Sequence, residues 1–146
     1  MKKEFLISAL TITLLTKYCF ADWPQFLGPH RNGTTQNENI PLEFTNGEPE
    51  IDWEYSIGNG FSGPVVSNGH VIIFHRKGDR AVTDSLNIKD GKPVWSFEYE
   101  TDYVDDFGFD NGPRAVPLID NQKIYIFGAE GMIHCLDTKS GREIWK

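Results

Sequence analysis

The sequence predicts an all-β fold, a β-propeller of four-stranded antiparallel blades, with about two blades plus a closing strand in this chain. Three observations predict it. LNIKDGKPVW (86–95) returns fifty residues later as LDTKSGREIW (136–145), and PVVSNGHVIIF (64–74) returns as PLIDNQKIYIF (117–127). Within each repeat, short runs of strand formers alternate with turn residues, and no segment after residue 21 holds a helical period.

Taken in order, residues 1–21 (MKKEFLISALTITLLTKYCFA) place lysines first, then an apolar run, then a short tail ending at Ala21. That is the layout of a secretory signal peptide cut after Ala21. The apolar run is too short to span a bilayer and Lys17 interrupts its end, which argues against a retained anchor. The expected product is exported, to the periplasm or outside the cell, with no transmembrane segment after cleavage.

Residues 22–50 read as an N-terminal extended segment, and 51–56 as a strand whose Trp53 matches the fourth-strand tryptophan of a blade. A lone fourth strand ahead of the first blade closes a propeller by completing its last blade, so further repeats outside this sequence are expected. Blade one spans 62–99. Asn68-Gly69 joins its first two strands, supplying the positive φ angles of a type I′ turn. A third strand over Ala81 to Ile88 follows, and Lys89-Asp90-Gly91 turns the chain into a fourth around Val94-Trp95. A long loop covers 98–114. Blade two, 114–146 and expected to be incomplete, repeats the pattern, with a third strand over Met132 to Leu136 and a fourth around Ile144-Trp145. Gly91 and Gly141 permit the turn before the fourth strand, while the flat indoles of Trp95 and Trp145 seal one blade against the next. The three-residue difference between the two repeat offsets is expected in the loop between second and third strands.

The net charge is −7, and removing residues 1–21 with their three lysines and one glutamate deepens it to −9. Such a surface argues against nucleic acid and anionic membranes as partners. Cys135 is the single cysteine beyond residue 21 and alternates with apolar neighbours, which reads as a buried small hydrophobe.

Strand alternation places the first-to-second and third-to-fourth turns on one face, and the second-to-third and blade-to-blade loops on the other. The first face has minimal turns. The second is elaborated, and function usually sits on such loops. Phe61, Arg76, Asp105, Asp106 and Arg114 are the candidate ligand-binding residues there. Asp105-Asp106 offers oxygen ligands to a hard cation such as Ca²⁺, though without the alternating pattern of a dedicated calcium loop. The other reading is a solvated acidic loop anchored by Tyr103, Phe107 and Phe109. Arg114 could grip a ligand carboxylate with its planar fork or pair with aspartates of its own loop. His75 and Arg76 are strand neighbours and point to opposite sides, so at most one faces a pocket. His30, His70 and His134 lack metal-ligand spacing, and Asn32-Gly33-Thr34 reads as a turn. No nucleophile–base set appears, so catalytic residues stay unassigned.

CLDTKSGREIW (135–145) closely resembles the tryptophan-docking signature of quinoprotein-type propellers, A-x-D-x-x-T-G-K-x-x-W, from which blade one departs at Asn87 and Asp90. DWPQFLGPHRNG, GNGFSGPVVSNGHVIIFHR and DDFGFDNGPRAVPLIDNQKIYIFGAEGMIHCLD are similar to the exported PQQ-like propeller proteins, relatives of the outer-membrane assembly factor BamB. The resemblance implies an interaction scaffold or ligand-binding module with a protein or small-molecule partner. The alternative it implies is a quinoprotein dehydrogenase that holds PQQ and Ca²⁺ and oxidises an alcohol or sugar.

Overall fold

The computed structural model describes residues 22–35, 43–44 and 47–146. The expected signal peptide, and residues 36–42 and 45–46 of the N-terminal segment, lie outside the described residues. Eight strands form, and the described residues contain no helix: β1 (Val65–Ser67), β2 (His70–Lys77), β3 (Arg80–Asn87), β4 (Pro93–Glu100), β5 (Leu118–Asp120), β6 (Lys123–Phe127), β7 (Ile133–Asp137) and β8 (Glu143–Trp145). They pair as two antiparallel meanders, β1-β2-β3-β4 and β5-β6-β7-β8. These are two successive blades of a β-propeller, with β1 and β5 side by side.

The turns follow from residue chemistry. Asn68 and Gly69 take φ of 50° and 78°, the pair of left-handed values a type I′ hairpin needs. Asn121 and Gln122 repeat it in blade two at 45° and 64°, although Gln122 is not a glycine. Asn32 forms the expected turn, its Oδ1 accepting from the Thr34 backbone N–H at 3.1 Å.

Two length expectations need correction. Blade one has no longer loop between its second and third strands. Its extra residues extend the ladder instead, through Arg76↔Ala81 and Lys77↔Arg80, and Gly78-Asp79 turns tightly. Blade two spends residues 128–132 on the same connection. The fourth strand of blade one also runs on to Glu100, because Trp95, Phe97 and Tyr99 alternate inward with Ser96, Glu98 and Glu100 outward. The long loop therefore begins at Thr101.

Packing between blades explains why these residues recur. Ile72, Phe74 and Ala81 of blade one meet Ile124, Ile126 and Leu136 of blade two in one buried cluster, closed by Trp95, Phe97 and Tyr99. Each fully buried aliphatic or phenyl side chain there contributes about 1.5–3 kcal/mol. The opposite face of blade one buries Val71, Ile73 and Leu86 beneath Trp53 and Tyr55. Cys135 is fully buried with a free thiol.

Each tryptophan covers the next repeat, and the turn glycine of that repeat also receives it. Trp53 lies on Gly91 and donates its Nε1–H to the Ile88 carbonyl at 2.9 Å. Trp95 lies on Gly141 and donates to the Thr138 carbonyl at 3.0 Å, the equivalent atom one repeat on. A Cβ on Gly91 or Gly141 would stand 2.6 or 2.4 Å from the indole. The glycine four residues before a tryptophan thus seats the tryptophan of the preceding repeat. Trp145 is 47 % exposed, with no such seat among the described residues. Residues 51–56, expected as a strand, carry no strand assignment, since no strand pairs with them among the described residues, yet Trp53 and Tyr55 cover blade one as a fourth strand's side chains would.

Candidate functional site

Four loops meet on the elaborated face, as strand alternation requires. Asn59 forms an antiparallel bridge with Arg76, and the Phe61 N–H donates to the Pro113 carbonyl at 2.9 Å. Tyr99 and Thr101 reach Glu130 in the loop of blade two at 2.7 and 3.1 Å. Burial and the Glu130 carboxylate push the Tyr99 hydroxyl well above the ordinary phenol range, so it stays a neutral donor.

Arg76 fastens the long loop to the ladder. Its Nε donates to the Gly78 carbonyl at 2.7 Å, Nη1 to the carbonyls of Tyr103 and Asn111, and Nη2 to that of Thr101 at 3.2 Å. Four of its five N–H donors go to backbone carbonyls. His75 points the other way, as adjacency on a strand dictates. It is buried, its Nδ1 accepting from the Gly58 N–H at 3.0 Å, so Nε2 carries the hydrogen given to Asp84 at 2.9 Å. The Tyr55 hydroxyl donates to the same carboxylate at 2.9 Å. Burial alone would raise the Asp84 pKa, but hydrogen bonds from His75, Ser96 and Tyr55 outweigh it and hold the carboxyl at about 2. Burial and the Asp84 bond push Tyr55 up to about 12. This cluster fixes the strand and loop beneath Phe61.

The long loop is organised around Asp105 and Arg114. Asp105 is buried; its Oδ1 accepts from Arg114 Nη2 at 2.7 Å and its Oδ2 from the Phe109 N–H at 2.7 Å. Its own N–H donates to Asn111 Oδ1 at 2.8 Å. Arg114 also donates to the carbonyls of Gly112 and Asp110, and its guanidinium lies 5.9 Å from the Phe61 ring and 5.3 Å from that of Tyr103. The loop's single arginine is therefore compensated by its own aspartate. Asp106 stands apart, exposed. The structure brings Phe61, Arg76, Asp105 and Arg114 together but leaves Asp106 outside the group. Both Asp105 oxygens are already in use, and no group of three or more His, Cys, Asp or Glu that could hold a metal gathers among the described residues.

What this bracing displays is apolar. Phe107 and Phe109 are 82 and 79 % exposed, with ring centroids 6.3 Å apart and planes 28° apart, and Val104 and Phe61 are exposed beside them. Asp102 and Asp106 are exposed on the same loop. Large phenylalanines exposed to water on a hydrogen-bonded loop are the informative observation here. Of the aromatics expected to anchor the loop, Tyr103 does so against Arg114, whereas Phe107 and Phe109 are the presented surface. Asn111 and Glu130, which brace the loops, were missed, because their partners lie across a loop or in the other blade.

The family model described as outer membrane protein assembly factor BamB matches residues 34–146. A quinoprotein alcohol dehydrogenase, PedH of Pseudomonas putida, is 24 % identical over 82 residues, covering 56 % of this chain and 13 % of the relative. Among solved structures, BamB from Moraxella catarrhalis aligns with TM-score 0.48 and 28 % identity, covering 64 % of this chain and 26 % of that one. A europium-containing methanol dehydrogenase aligns with TM-score 0.44 and 20 % identity over 57 % of this chain and 14 % of that one. The chain spans about a quarter or less of the length of these relatives.

Proposed function

Because the chain belongs to the family of the outer membrane protein assembly factor BamB, we propose that it forms part of an exported interaction scaffold whose contact surface is the 101–114 loop. The observation that carries this reading is the pair Phe107 and Phe109, exposed on a loop that Asp105 braces by accepting from the Phe109 N–H and from Arg114. A pre-ordered aromatic pair loses little conformational freedom on binding, which is what an interface anchor requires. The surrounding carboxylates specify the partner: a protein surface with an apolar pocket and a basic rim.

The test is a photo-crosslinking side chain placed at Phe107 in cells that make the full-length protein. One dominant protein adduct is expected, weakened by Phe109→Ser and by Asp105→Asn, with none from the same probe at Lys139 on the opposite face. Equal labelling from both positions, or adducts with lipid alone, overturns the proposal.

A second reading, a PQQ-dependent dehydrogenase, is favoured by the similarity to an alcohol dehydrogenase. Titrating the full-length protein with PQQ and Ca²⁺, followed by dye-coupled alcohol oxidation, tests it; absence of both binding and turnover removes it.

A further inference from the structure

The face with minimal turns holds a cavity of about 670 Å³ between the two blades. That volume lies within the range of small-molecule sites. Its apolar lining comes from Pro24, Ile72 and Ile119, and polar groups converge around it from the turns of both blades. Residues 22–24 close one side, through the Trp23–Val66 bridge and the Ile119 N–H bonded to the Pro24 carbonyl at 2.8 Å.

One of the polar groups is held there at a conformational cost. Asn121-Gln122 makes the same hairpin turn that Asn68-Gly69 makes in blade one, with Gln122 at φ 64°. Glycine adopts that conformation freely and an ordinary L residue does not. The turn does not need a side chain at this position, yet a glutamine stands there and lines the cavity. Backbone strain of this kind is a pointer to function. The Gln122 amide and the Lys139 ammonium, also lining the cavity, meet no protein partner among the described residues.

We propose that this inter-blade cavity is a binding site for a polyhydroxylated ligand, a mono- or disaccharide, with Gln122 as a specificity-determining contact. The lining suits that class. Amides of Asn121 and Gln122 both donate and accept, Asp22 and Asp120 accept, Lys139 donates, and the apolar residues cover the C–H face of a sugar ring. Carboxylates and an ammonium in one cavity favour neither a strongly anionic nor a strongly cationic ligand. The site is on the face opposite the 101–114 loop and stands independently of the scaffold reading.

Saturation-transfer NMR on the full-length protein, with glucose and cellobiose as probes at millimolar concentration, tests it. Transfer to at least one sugar is expected. Gln122→Gly should weaken binding by about tenfold or more, the loss of one good hydrogen-bonding group, while the melting temperature does not fall, because the turn is relieved. Gln122→Ala should lose binding similarly, and Phe107→Ser should leave it unchanged. No transfer to either sugar, or unchanged affinity in Gln122→Gly, overturns the site. A melting temperature that drops in Gln122→Gly overturns the strain argument.

Discussion

Two single residues carry measurable signatures of how this chain is built. Gln122 occupies a left-handed conformation in a turn whose counterpart uses Gly69, so Gln122→Gly should raise stability by about 0.5–1 kcal/mol. Denaturant unfolding checks this, and a loss would mean the glutamine side chain stabilises the turn. Asp84 is a buried carboxylate held at about 2 against burial by three hydrogen-bonding neighbours. Its folded-state pKa lies below the unfolded value, so its contribution is fully present above pH about 4 and disappears as pH falls towards 2. The depression corresponds to about 2–3 kcal/mol. The stability gap between the native protein and Asp84→Asn should shrink by about that much over this window. Parallel stability curves down to pH 2 would show that Asp84 contributes no more as an anion than as an amide.

At the scale of elements, the unit is a tryptophan on one repeat and a glycine on the next. Trp95→Ala should cost about 3 kcal/mol, since it empties a large aromatic site between blades and leaves the Thr138 carbonyl without its donor. Gly141→Ala should also be costly, because the new Cβ would stand 2.4 Å from the indole and the residue sits at φ 67°. In the Trp95→Ala background only the backbone cost of about 1 kcal/mol should remain. A double-mutant cycle by chemical denaturation measures the difference, and additive losses would mean that the two residues do not form one seat. The same logic relates Asp84 to His134 fifty residues on. Tyr55, two residues after Trp53, bonds the first, and Phe97, two residues after Trp95, meets the second edge-on with ring centroids 5.4 Å apart.

For the molecule as a whole, an acidic surface frames a rigid apolar display. Association with the partner captured through Phe107 should slow by about tenfold between low and physiological ionic strength, because steering by the loop carboxylates is screened. Phe107→Ala and Phe109→Ala should instead speed dissociation. Stopped-flow mixing separates the two rates. Salt-independent association would mean that the contact is apolar alone and that the partner needs no basic rim.

The repeat, the turn at Asn68-Gly69, the sorting of loops onto two faces and the burial of Cys135 were legible in the sequence by itself, because each depends on near neighbours or on a strict period of two. The opposed directions of His75 and Arg76 belong to the same class. Only the tertiary structure decided which tryptophan sits on which glycine, since spacing within a repeat says nothing about contact across repeats. It also decided that Arg76 and Arg114 direct donors onto loop backbone and Asp105, that both Asp105 oxygens accept hydrogen bonds within the loop, and that Phe107 and Phe109 face water. Those outcomes depend on how the loop folds back on itself and on β2, a balance of non-local hydrogen bonds that no local pattern encodes. Gln122 shows the division at one position: its place in the turn follows from alignment with Gly69, while the cavity it lines exists only because two blades pack side by side.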